Sequence, residues 1–561
     1  MREIIQEILN EIKTKKDTST IKRNISKKYK LPKLITNHEI MSNMSEYERN
    51  KYSQYFLTKP TRTGSGVIPI AIMTKPFQCP HVKKGIGPCI MCPGGPNSHF
   101  GNVPQSYTGN EPASRRAIRH NFDPYQQIFN RLEQYIILGN IPEKIQFIIM
   151  GGTFPATPKK YQEEFITQSF KALNNFSKLF FKNNKFNFEK FKKFFELPGK
   201  IDNKDRLNSI KNKIKKLNEK SNLEKEQKIN EKSKIKCIGL VIETRPDYSG
   251  IKEADLMLKL GCTSVELGIQ SVYNKVLTAS KRGHSVEDSI KAIRTLKDLG
   301  FKVNIHYMLG LPESTKEMDL ESLKSLFTNP DFRPDMLKIY PCLITKGTEL
   351  YNLWKQGKYK PMKNEDAIEI ITEFKKTIPT YIRIMRIQRD IAENIIEAGV
   401  YKTNLRQYIQ QELNIQGYSC NCIRCRELKD KKDLKNIKLL VKKYEASKGE
   451  EYFISFENME KNKIAGFCRL RLPSQSLRKE ITKDSAIIRE LHIYGQQTNT
   501  GKKGEIQHKG LGKKLIKKAE EIAKQNNKNK MIIISGIGVK EYYKKLGYKK
   551  ERFYMSKKLN V

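Results

Sequence analysis

Between residues 66 and 344, short apolar strands alternate with helical segments, and no other feature of the sequence restricts the fold as strongly. Strands are predicted at 66–73, 144–154, 236–247, 264–271, 302–312 and 335–344. Helical spacing of apolar residues predicts helices among them, for example at 125–139, 286–299 and 315–327. Apolar strands separated by helices are typical of a parallel sheet that is buried on both faces. The sequence therefore predicts an α/β fold, a full or partial parallel (β/α) barrel.

The regions outside this pattern define the other parts of the chain. We assign residues 1–60 to a basic helical N-terminal region, 61–400 to the barrel, 401–437 to a cysteine-containing linker and 438–561 to an α+β domain. In the last domain, antiparallel strands precede a glycine turn and a helix at about 510–525. Residues 178–235 are rich in Lys, Asn and Glu, and we expect them to form a surface insertion, partly helical or disordered.

The charge balance predicts a polyanionic partner. Lys and Arg number 106 against 60 Asp and Glu, a formal net charge of +46. Nucleic acid is the first expectation for such an excess. The alternative is an AT-rich genome, which yields the same abundance of Lys, Asn and Ile without selection for binding. No run approaches the roughly 20 apolar residues of a membrane helix, and no secretory signal is evident, so we expect a cytoplasmic protein without membrane attachment.

The first cysteine cluster has the spacing of a metal site. Cys79, Cys89 and Cys92 follow the pattern C-x9-C-x2-C in a loop rich in Gly and Pro. Three close thiolates are one short of the usual four protein ligands of a cubane iron–sulfur cluster, which leaves a position open for substrate. The alternative is structural zinc with a distant fourth ligand such as His81 or His99. Spacing alone leaves both interpretations open.

The second cysteine cluster is denser. Cys420, Cys422 and Cys425 have the spacing C-x-C-x2-C, which fits tetrahedral zinc. We interpret it as a structural zinc that braces the join between the two domains. The fourth ligand is not evident from the sequence, with Cys342 or a histidine as candidates. The alternative is three unligated thiols.

Many short blocks of the sequence, in order, resemble one known family. They include CPH, CIMCPGGPNS, QSYTGNEPASRRAIRHNFDPYQQ, FIIMGGTFPA, IETRPD, ELGIQSVYN and FRPDMLKIYP. The chain is similar, from about residue 55 to its C-terminus, to the catalytic subunit of the Elongator complex (Elongator protein three), apart from the 178–235 insertion. That family joins a radical S-adenosylmethionine (SAM) barrel to an acetyltransferase domain of the GNAT type.

The resemblance implies roles in the barrel. Cys79, Cys89 and Cys92 would hold a [4Fe-4S] cluster, and SAM would bind its open iron. Gly151 and Gly152 follow a strand where glycine allows close backbone approach, and the family places the SAM amino group there. Three polar residues at or near strand ends are candidate SAM contacts, with barrel-mouth hydrogen bonding as the alternative: Glu243, Glu266 and Gln270.

The C-terminal domain carries an acetyl-CoA signature. The pattern Q-x-x-G-x-G opens a helix, where glycines expose backbone amides that suit a pyrophosphate. By resemblance to the GNAT class, a strand edge binds pantetheine and a tyrosine lies near the thioester. A barrel lysine would contact CoA. The strand edge would be Glu490, Leu491, His492 and Ile493, and the glycine pattern covers Gln507, Gly510, Leu511, Gly512, Lys513 and Lys514. The tyrosine would be Tyr543 or Tyr542, and the barrel lysine would be Lys144.

The resemblance also implies the reaction. A radical derived from SAM would abstract hydrogen from the methyl group of acetyl-CoA, and the resulting carbon would add to a tRNA wobble uridine to give 5-carboxymethyluridine. The partner would be a tRNA anticodon stem-loop, contacted by the N-terminal region and by Arg115, Arg116 and Arg119. We expect no need for other Elongator-type subunits and allow for a homodimer. The alternatives are a protein-lysine acetyltransferase and a non-enzymatic RNA-binding scaffold.

Overall fold

The computed structural model describes residues 1–12, 17–56, 66–199, 203–428, 434–495 and 510–560. The helices are α1 Arg2–Ile12, α2 Thr18–Lys28, α3 Asn37–Asn43, α4 Glu46–Tyr52, α5 Pro112–Arg119, α6 Pro124–Ile137, α7 Lys159–Phe180, α8 Phe188–Phe194, α9 Lys204–Lys216, α10 Leu223–Lys232, α11 Ile251–Leu260, α12 Asn274–Ala279, α13 Val286–Asp298, α14 Lys316–Thr328, α15 Glu349–Lys355, α16 Asn364–Lys376, α17 Leu405–Ile415, α18 Ile423–Arg426, α19 Leu511–Gln525 and α20 Lys540–Lys544.

The strands are β1 Val67–Met73, β2 Gly95–Ser98, β3 Gly101–Val103, β4 Lys144–Met150, β5 Phe181–Lys182, β6 Lys185–Phe186, β7 Lys236–Thr244, β8 Ser264–Gln270, β9 Lys302–Leu309, β10 Met336–Pro341, β11 Leu343–Ile344, β12 Arg383–Ile387, β13 Ala398–Gly399, β14 Ile437–Ala446, β15 Gly449–Asn458, β16 Lys463–Leu472, β17 Ser485–Ile493, β18 Lys530–Ile533, β19 Lys549–Glu551 and β20 Tyr554–Lys558. Among the residues described, no helix is both long enough and apolar enough to span a bilayer.

The N-terminal helices form a small core of their own. Ile5 and Ile8 of α1 meet Ile21 and Ile25 of α2 because apolar residues recur every three or four positions along each helix. The helices are joined to the barrel by Arg49, whose guanidinium donates to the Ile136 carbonyl and lies over the Phe188 ring. The basic residues are therefore held on a folded, helical unit.

The barrel is partial, as the apolar strands predict. Seven parallel strands run in the order β1-β4-β7-β8-β9-β10-β12, and the sheet remains open between β1 and β12. Outward side chains such as Phe147 are fully buried against helices, here Phe170 of α7. Because all strands are parallel, the loops that follow them gather at one end of the barrel, where sites are built in such folds.

Residues 178–235 contribute to the barrel core, which differs from the surface insertion that we expected. Phenylalanines of α7, α8 and their connections pack together, with Phe180 and Phe195 fully buried and their ring centroids 5.8 Å apart. Ile210 and Ile214 of α9 join the same core. The Lys-rich composition hid this face, although seven phenylalanines lie between residues 180 and 195.

The C-terminal sheet has the order β14-β15-β16-β17-β18-β20-β19. Its β17 pairs in parallel with β18 only from Ser485 to Ile488, and the two strands separate beyond that point. On its other edge, β17 stays paired with β16 as far as Ile493. The sheet is therefore mixed and has a cleft between β17 and β18. Helix α19 packs against the sheet.

This sheet is fastened to the barrel by fully buried ion pairs. Asp335, just before β10, accepts from Arg489 at 2.6 and 2.7 Å, and Arg489 also reaches Glu451 at 2.8 Å. Asp298, at the end of α13, accepts from Arg471 at 2.8 Å. Five cations face four acids in this largely buried network: Lys297, Lys302, Arg469, Arg471 and Arg489 against Asp298, Asp335, Glu451 and Glu490.

Candidate active site

The first cysteine cluster lies at the end of the barrel where the strands finish. Cys79, Cys89 and Cys92 follow β1 and line one cavity of about 690 Å³. Cys89 Sγ accepts from Arg282 Nη1 at 3.1 Å and from Arg245 Nη1 at 3.7 Å. Donors aimed at a sulfur stabilise its thiolate, the form that ligates metal.

The acidities of these thiols follow from burial and from the two arginines. Burial raises the pKa of Cys92 to about 11 and also raises the pKa of Cys79. Burial acts in the same sense on Cys89, but Arg282 and Arg245 outweigh it and lower the pKa of that thiol. Cys89 is thus prepared as a thiolate by the chain itself.

Among the residues described, neither histidine named for the zinc alternative forms a compact ligand group with these thiols. His81 is buried and its Nε2 lies 2.8 Å from Asp247 Oδ2, and His99 is exposed. Three thiols with donors to sulfur, in a cavity that has room for a further ligand, fit a cubane cluster with an open iron.

A glycine turn borders the same cavity. Gly151 and Gly152 have φ angles of +126° and +95° directly after β4. A Cβ on Gly151 would lie 2.1 Å from Thr74 Oγ1, and one on Gly152 would lie 2.9 Å from Gln105 Cβ. Thr74 Oγ1 is buried without a hydrogen-bond partner among the described residues. The turn therefore brings backbone and an unused hydroxyl group close to the cavity wall.

The predicted SAM contacts differ in the hydrogen bonds that they already make within the protein. Glu243 accepts from the Tyr107 hydroxyl at 2.8 Å, and burial raises its pKa. Gln270 ends β8 with φ +68° and lines the cavity. Glu266 is taken up within the protein: it contacts Lys338, accepts from Asn304 at 3.0 Å and lies 2.9 Å from His306 Nε2. Glu266 therefore makes the hydrogen bonds of the barrel-mouth alternative, and it also lines the cavity.

Sequence inspection missed the charged group formed by Glu266, His306 and Lys338. These residues occupy inward positions of β8, β9 and β10, and all three line the cavity. Burial opposes ionisation of Glu266, yet Lys338 and His306 outweigh it and hold the pKa of Glu266 well below its usual value. The signal was present in the sequence as single charged residues inside apolar strands.

The predicted acetyl-CoA residues border the cleft of the C-terminal sheet. Glu490, Leu491, His492 and Ile493 lie on the part of β17 that has separated from β18. Gly510 has φ +82° and precedes Leu511, the first residue of α19. Lys513 and Lys514 are exposed on its first turn, whereas Leu511 packs in the core. Gln507 lies outside the described residues.

The two candidate tyrosines occupy different environments. Tyr543 is buried in the core of the C-terminal sheet. A Cβ on Gly512 would lie 3.0 Å from the Tyr542 hydroxyl, so this hydroxyl faces the start of α19. The Tyr542 hydroxyl therefore lies beside the glycine of the predicted pyrophosphate loop.

Lys144 lies apart from the cysteines, at the other end of β4. It is half-buried, and burial lowers its pKa. Its charge is among those that lower the pKa of His492 on β17, after burial itself, which brings that pKa to about 4. Lys144 thus lies at the end of β4 away from the cysteines and close enough to His492 of β17 for its charge to act there.

The second cysteine cluster converges at the start of α18. The sulfurs of Cys420, Cys422 and Cys425 all lie within 4.8 Å of one another. Hydrogen bonds from Cys420 and Cys425 lower the pKa of Cys422, so one thiolate is shared by two thiols. One tetrahedral zinc with Zn–S distances of about 2.3 Å fits this convergence.

The three arginines of α5 have different exposures. Arg115 and Arg119 are exposed. Arg116 is buried, and its Nη2 donates to the Ala71 carbonyl at 2.5 Å on the open edge of β1. Arg116 therefore commits one guanidinium nitrogen to a backbone carbonyl of β1, and its side chain also lines the cavity.

Family models match most of the chain. The Radical SAM superfamily model matches residues 210–326, and its C-terminal domain model matches 334–414. The Acetyltransferase (GNAT) family model matches residues 423–548. The ELP3 N-terminal domain model matches residues 1–64, a region that the resemblance had not reached. Fold and site define a radical SAM enzyme joined to an acetyltransferase domain.

Relatives that match over nearly their full length identify the family. The chain is 44% identical to "tRNA uridine(34) acetyltransferase" of Methanocaldococcus infernus, over 100% of this chain and 99% of that protein. It is 37% identical to "Elongator complex protein 3" of Saccharomyces cerevisiae, over 95% and 90%. The solved Elp3 of M. infernus lacking residues 1–46 matches with a TM-score of 0.70 and 40% identity, over 88% of this chain and 100% of that chain. The chain belongs to the Elongator complex protein 3 family.

Proposed function

We propose that this chain modifies the wobble uridine of tRNA, forming 5-carboxymethyluridine in the anticodon loop from acetyl-CoA with radical SAM chemistry. The observation that carries the proposal is the presence of both sites in one chain: a three-thiol cavity and an acetyl-CoA cleft. The name of the archaeal relative and the +46 net charge support tRNA as substrate. Mass spectrometry of nucleosides from treated tRNA tests it.

In this proposal the chain positions its groups as follows. Cys79, Cys89 and Cys92 would hold the [4Fe-4S] cluster, which would supply the electron for reductive cleavage of SAM. Arg245 and Arg282 stabilise the Cys89 thiolate. Gly151 and Gly152 allow backbone to approach SAM, and Glu243 and Gln270 contact it from the cavity wall.

The acetyl-CoA site in the proposal uses backbone and one hydroxyl. The amides at Gly510–Lys513 take the pyrophosphate, with the exposed Lys514 side chain on the same turn, and the free edge at Glu490–Ile493 bonds the pantetheine. Tyr542 lies near the thioester sulfur. We further propose a cytoplasmic enzyme, monomeric or homodimeric, that works without other Elongator-type subunits.

The two tyrosines give a matched test. Tyr542→Phe should lower acetyl-CoA-dependent turnover about 100-fold because it removes a proton donor at the cleft. Tyr543→Phe should cost far less, since that ring is packed in the core. Turnover is measured as modified uridine per minute under saturating SAM. A larger loss in Tyr543→Phe would return the role to Tyr543.

We also propose zinc at Cys420, Cys422 and Cys425. Lys375 supports it: this lysine is fully buried, its Nζ has no hydrogen-bond partner among the described residues, and its charge acts on Cys420. Three thiolates on Zn²⁺ carry one net negative charge, which an ammonium group balances.

Cys422→Ser should therefore lose zinc selectively. We expect about one zinc ion per wild-type chain and little in the variant, because a hard hydroxyl replaces a thiolate. Metal analysis of purified protein measures zinc and iron together, and iron should be unchanged. Equal zinc in both proteins, or none in either, would contradict the assignment.

For tRNA binding we propose contacts from Arg115 and Arg119 together with the N-terminal helices. Residues 111–113 of the same segment line the cavity, so the exposed arginines border its mouth. Arg115→Ala/Arg119→Ala should weaken tRNA binding and reduce the slope of log Kd against log salt by about 0.7 for each lost contact. Lys252→Ala, exposed on α11, is the control. An unchanged slope would place the RNA elsewhere.

A further inference from the structure

The segment between the first two cysteines of the cavity, residues 80–88, forms a loop that projects into solvent. Residues 83–86 at its tip are all exposed. A Cβ on Gly85 would meet no atom within 4 Å. Among the residues described, no member of this loop lines the large cavity, although Cys79 and Cys89 on either side of it do. The loop therefore lies outside the cavity that we assign to the substrates.

Hydrogen bonds hold this loop in one conformation. The His81 carbonyl accepts from the amides of Lys84 at 3.1 Å and of Ile86 at 3.0 Å. The imidazole of His81 is buried, and its Nε2 lies 2.8 Å from Asp247 Oδ2. A Cβ on Gly283 would lie 3.1 Å from Ile86 Cδ1, so the loop also packs close to the segment after α12. Because the loop is already ordered, it loses little conformational entropy when a partner binds.

The tip of the loop is basic and carries one exposed apolar side chain. Lys83 and Lys84 are exposed, and Ile86 close by is 37% exposed. Lys84 Nζ lies 3.5 Å from Asp247 Oδ2, and the same carboxylate is paired with Arg245 at 3.0 Å. Only 11% of the Asp247 side chain is exposed, against 49% of Lys84. The surface that a partner meets is therefore positive, with an apolar contact beside the charges.

A second cavity joins this loop to the cysteine site. Its volume is about 490 Å³, and Val82 and Pro88 of the loop line it together with Cys92. Cys92 belongs to the lining of both cavities. Its sulfur accepts from the Ser106 amide at 3.3 Å. A redox group at the second cavity is therefore next to one of the three thiols and does not need to enter the substrate cavity.

We propose that residues 82–88 and the second cavity form the docking surface for a small acidic protein that delivers the electron used in the cleavage of SAM. This inference rests on the proposed function, which consumes one electron for each SAM molecule. The partner protein is oxidised by one electron, which passes to the cluster at the three cysteines, and no bond is made or broken at this surface. Carboxylates of the partner face Lys83 and Lys84. Contacts between electron-transfer proteins are small and transient, so a patch of this size is sufficient.

Binding of flavodoxin, an acidic one-electron carrier, tests the surface without turnover. Calorimetry with oxidised flavodoxin and the full-length enzyme gives the Kd. Lys83→Ala/Lys84→Ala should raise this Kd about tenfold at low salt, and the difference should shrink as salt screens the charges. Lys549→Ala/Lys550→Ala removes the same charge from two adjacent exposed lysines of β19 and should leave the Kd within about twofold. No binding by wild type, or equal Kd values for wild type and Lys83→Ala/Lys84→Ala, would overturn the proposal.

The choice of reductant separates this inference from the proposed function. Reconstituted enzyme with SAM, acetyl-CoA and tRNA is supplied with either dithionite or limiting reduced flavodoxin, and 5′-deoxyadenosine is measured. Dithionite is a small ion that needs no docking surface, so wild type and Lys83→Ala/Lys84→Ala should give equal rates with it. With reduced flavodoxin the variant should be about tenfold slower. No product from wild type with dithionite contradicts the proposed function, whereas equal rates with flavodoxin overturn only the docking surface.

Transfer RNA is the other polyanion that a basic loop can bind, and its affinity is measured with the same variants. If Lys83→Ala/Lys84→Ala weakens tRNA binding and leaves the Kd of flavodoxin unchanged, the loop is an RNA contact and the proposal is overturned. If this variant does not fold, judged by iron content and Tm, Ile86→Ser receives the same tests with both lysines in place. It should raise the Kd of flavodoxin about fivefold because it removes an apolar contact, and an unchanged Kd would count against the surface.

Discussion

Replacing Cys89 by serine will abolish uridine modification and most of the iron content. Cys89 is the thiol that receives both Arg245 and Arg282, and its pKa is lowered where those of its two neighbours are raised. A serine hydroxyl cannot supply a soft thiolate ligand. Because even outer-shell partners of a metal cost 10–100-fold, loss of this ligand should exceed about 100-fold. Iron analysis and nucleoside mass spectrometry measure the two effects.

Cys262→Ser is the matched control. Cys262 is buried, and its Sγ donates to the Ser264 carbonyl at 3.1 Å, a role that a hydroxyl can take over. Iron content and modification should be retained. If Cys89→Ser still modified tRNA, the three-thiol site would not be catalytic. If it lost modification yet acetylated lysine, the protein-lysine acetyltransferase alternative would gain support.

Asp335→Asn should destabilise the protein by about 3–5 kcal/mol, since removing one member of a buried ion network leaves the others uncompensated. The carboxylate accepts from Arg489 twice and from the Val303 amide at 2.8 Å. An asparagine would aim its own donors at a guanidinium. Urea unfolding followed by circular dichroism measures the loss. Glu450→Gln, which breaks the exposed Lys443–Glu450 pair at 3.0 Å, should cost less than about 1 kcal/mol.

The same network sets a pH dependence. Burial alone would raise the pKa of Asp335, but Arg489 and Lys297 hold it well below its ordinary value. The unfolded chain titrates near 3.9, so this stabilisation is complete above about pH 4 and is lost as the pH falls toward the folded pKa. Wild type should lose stability below pH 4 more steeply than Asp335→Asn. Parallel pH profiles would show that Asp335 is not ionised in the folded protein.

The parallel half of the fold was predictable because its strands are apolar along their length. GVIPIAIM and KIQFIIMGGTF fit nothing but buried strands, and the glycines after the second strand marked its site end. The cysteine spacings likewise identified two groups of thiols, and the sulfurs of the second group converge in the fold. These patterns are local, so they can be recognised in the sequence without knowing how the chain packs.

The contacts that the sequence did not reveal depend on distant neighbours. Arg116 looked like one of three equivalent cations, but only the fold gives it the open edge of β1. Lys338 and His306 meet Glu266 across three strands. Tyr542 and Tyr543 are neighbours on α20, and their spacing does not show which hydroxyl lies beside the start of α19. Pairings across a sheet are set by register, which spacing along the chain does not record.

Modification of the wobble uridine can be measured with enzyme that has been reconstituted anaerobically with iron and sulfide. The enzyme is incubated with SAM, acetyl-CoA, dithionite and unmodified tRNA. We expect 5-carboxymethyluridine in the digested nucleosides, and its loss when either SAM or acetyl-CoA is left out. Formation of 5′-deoxyadenosine without modified uridine would contradict tRNA uridine as the substrate. Absence of both products from enzyme with a full iron complement would contradict the radical SAM function.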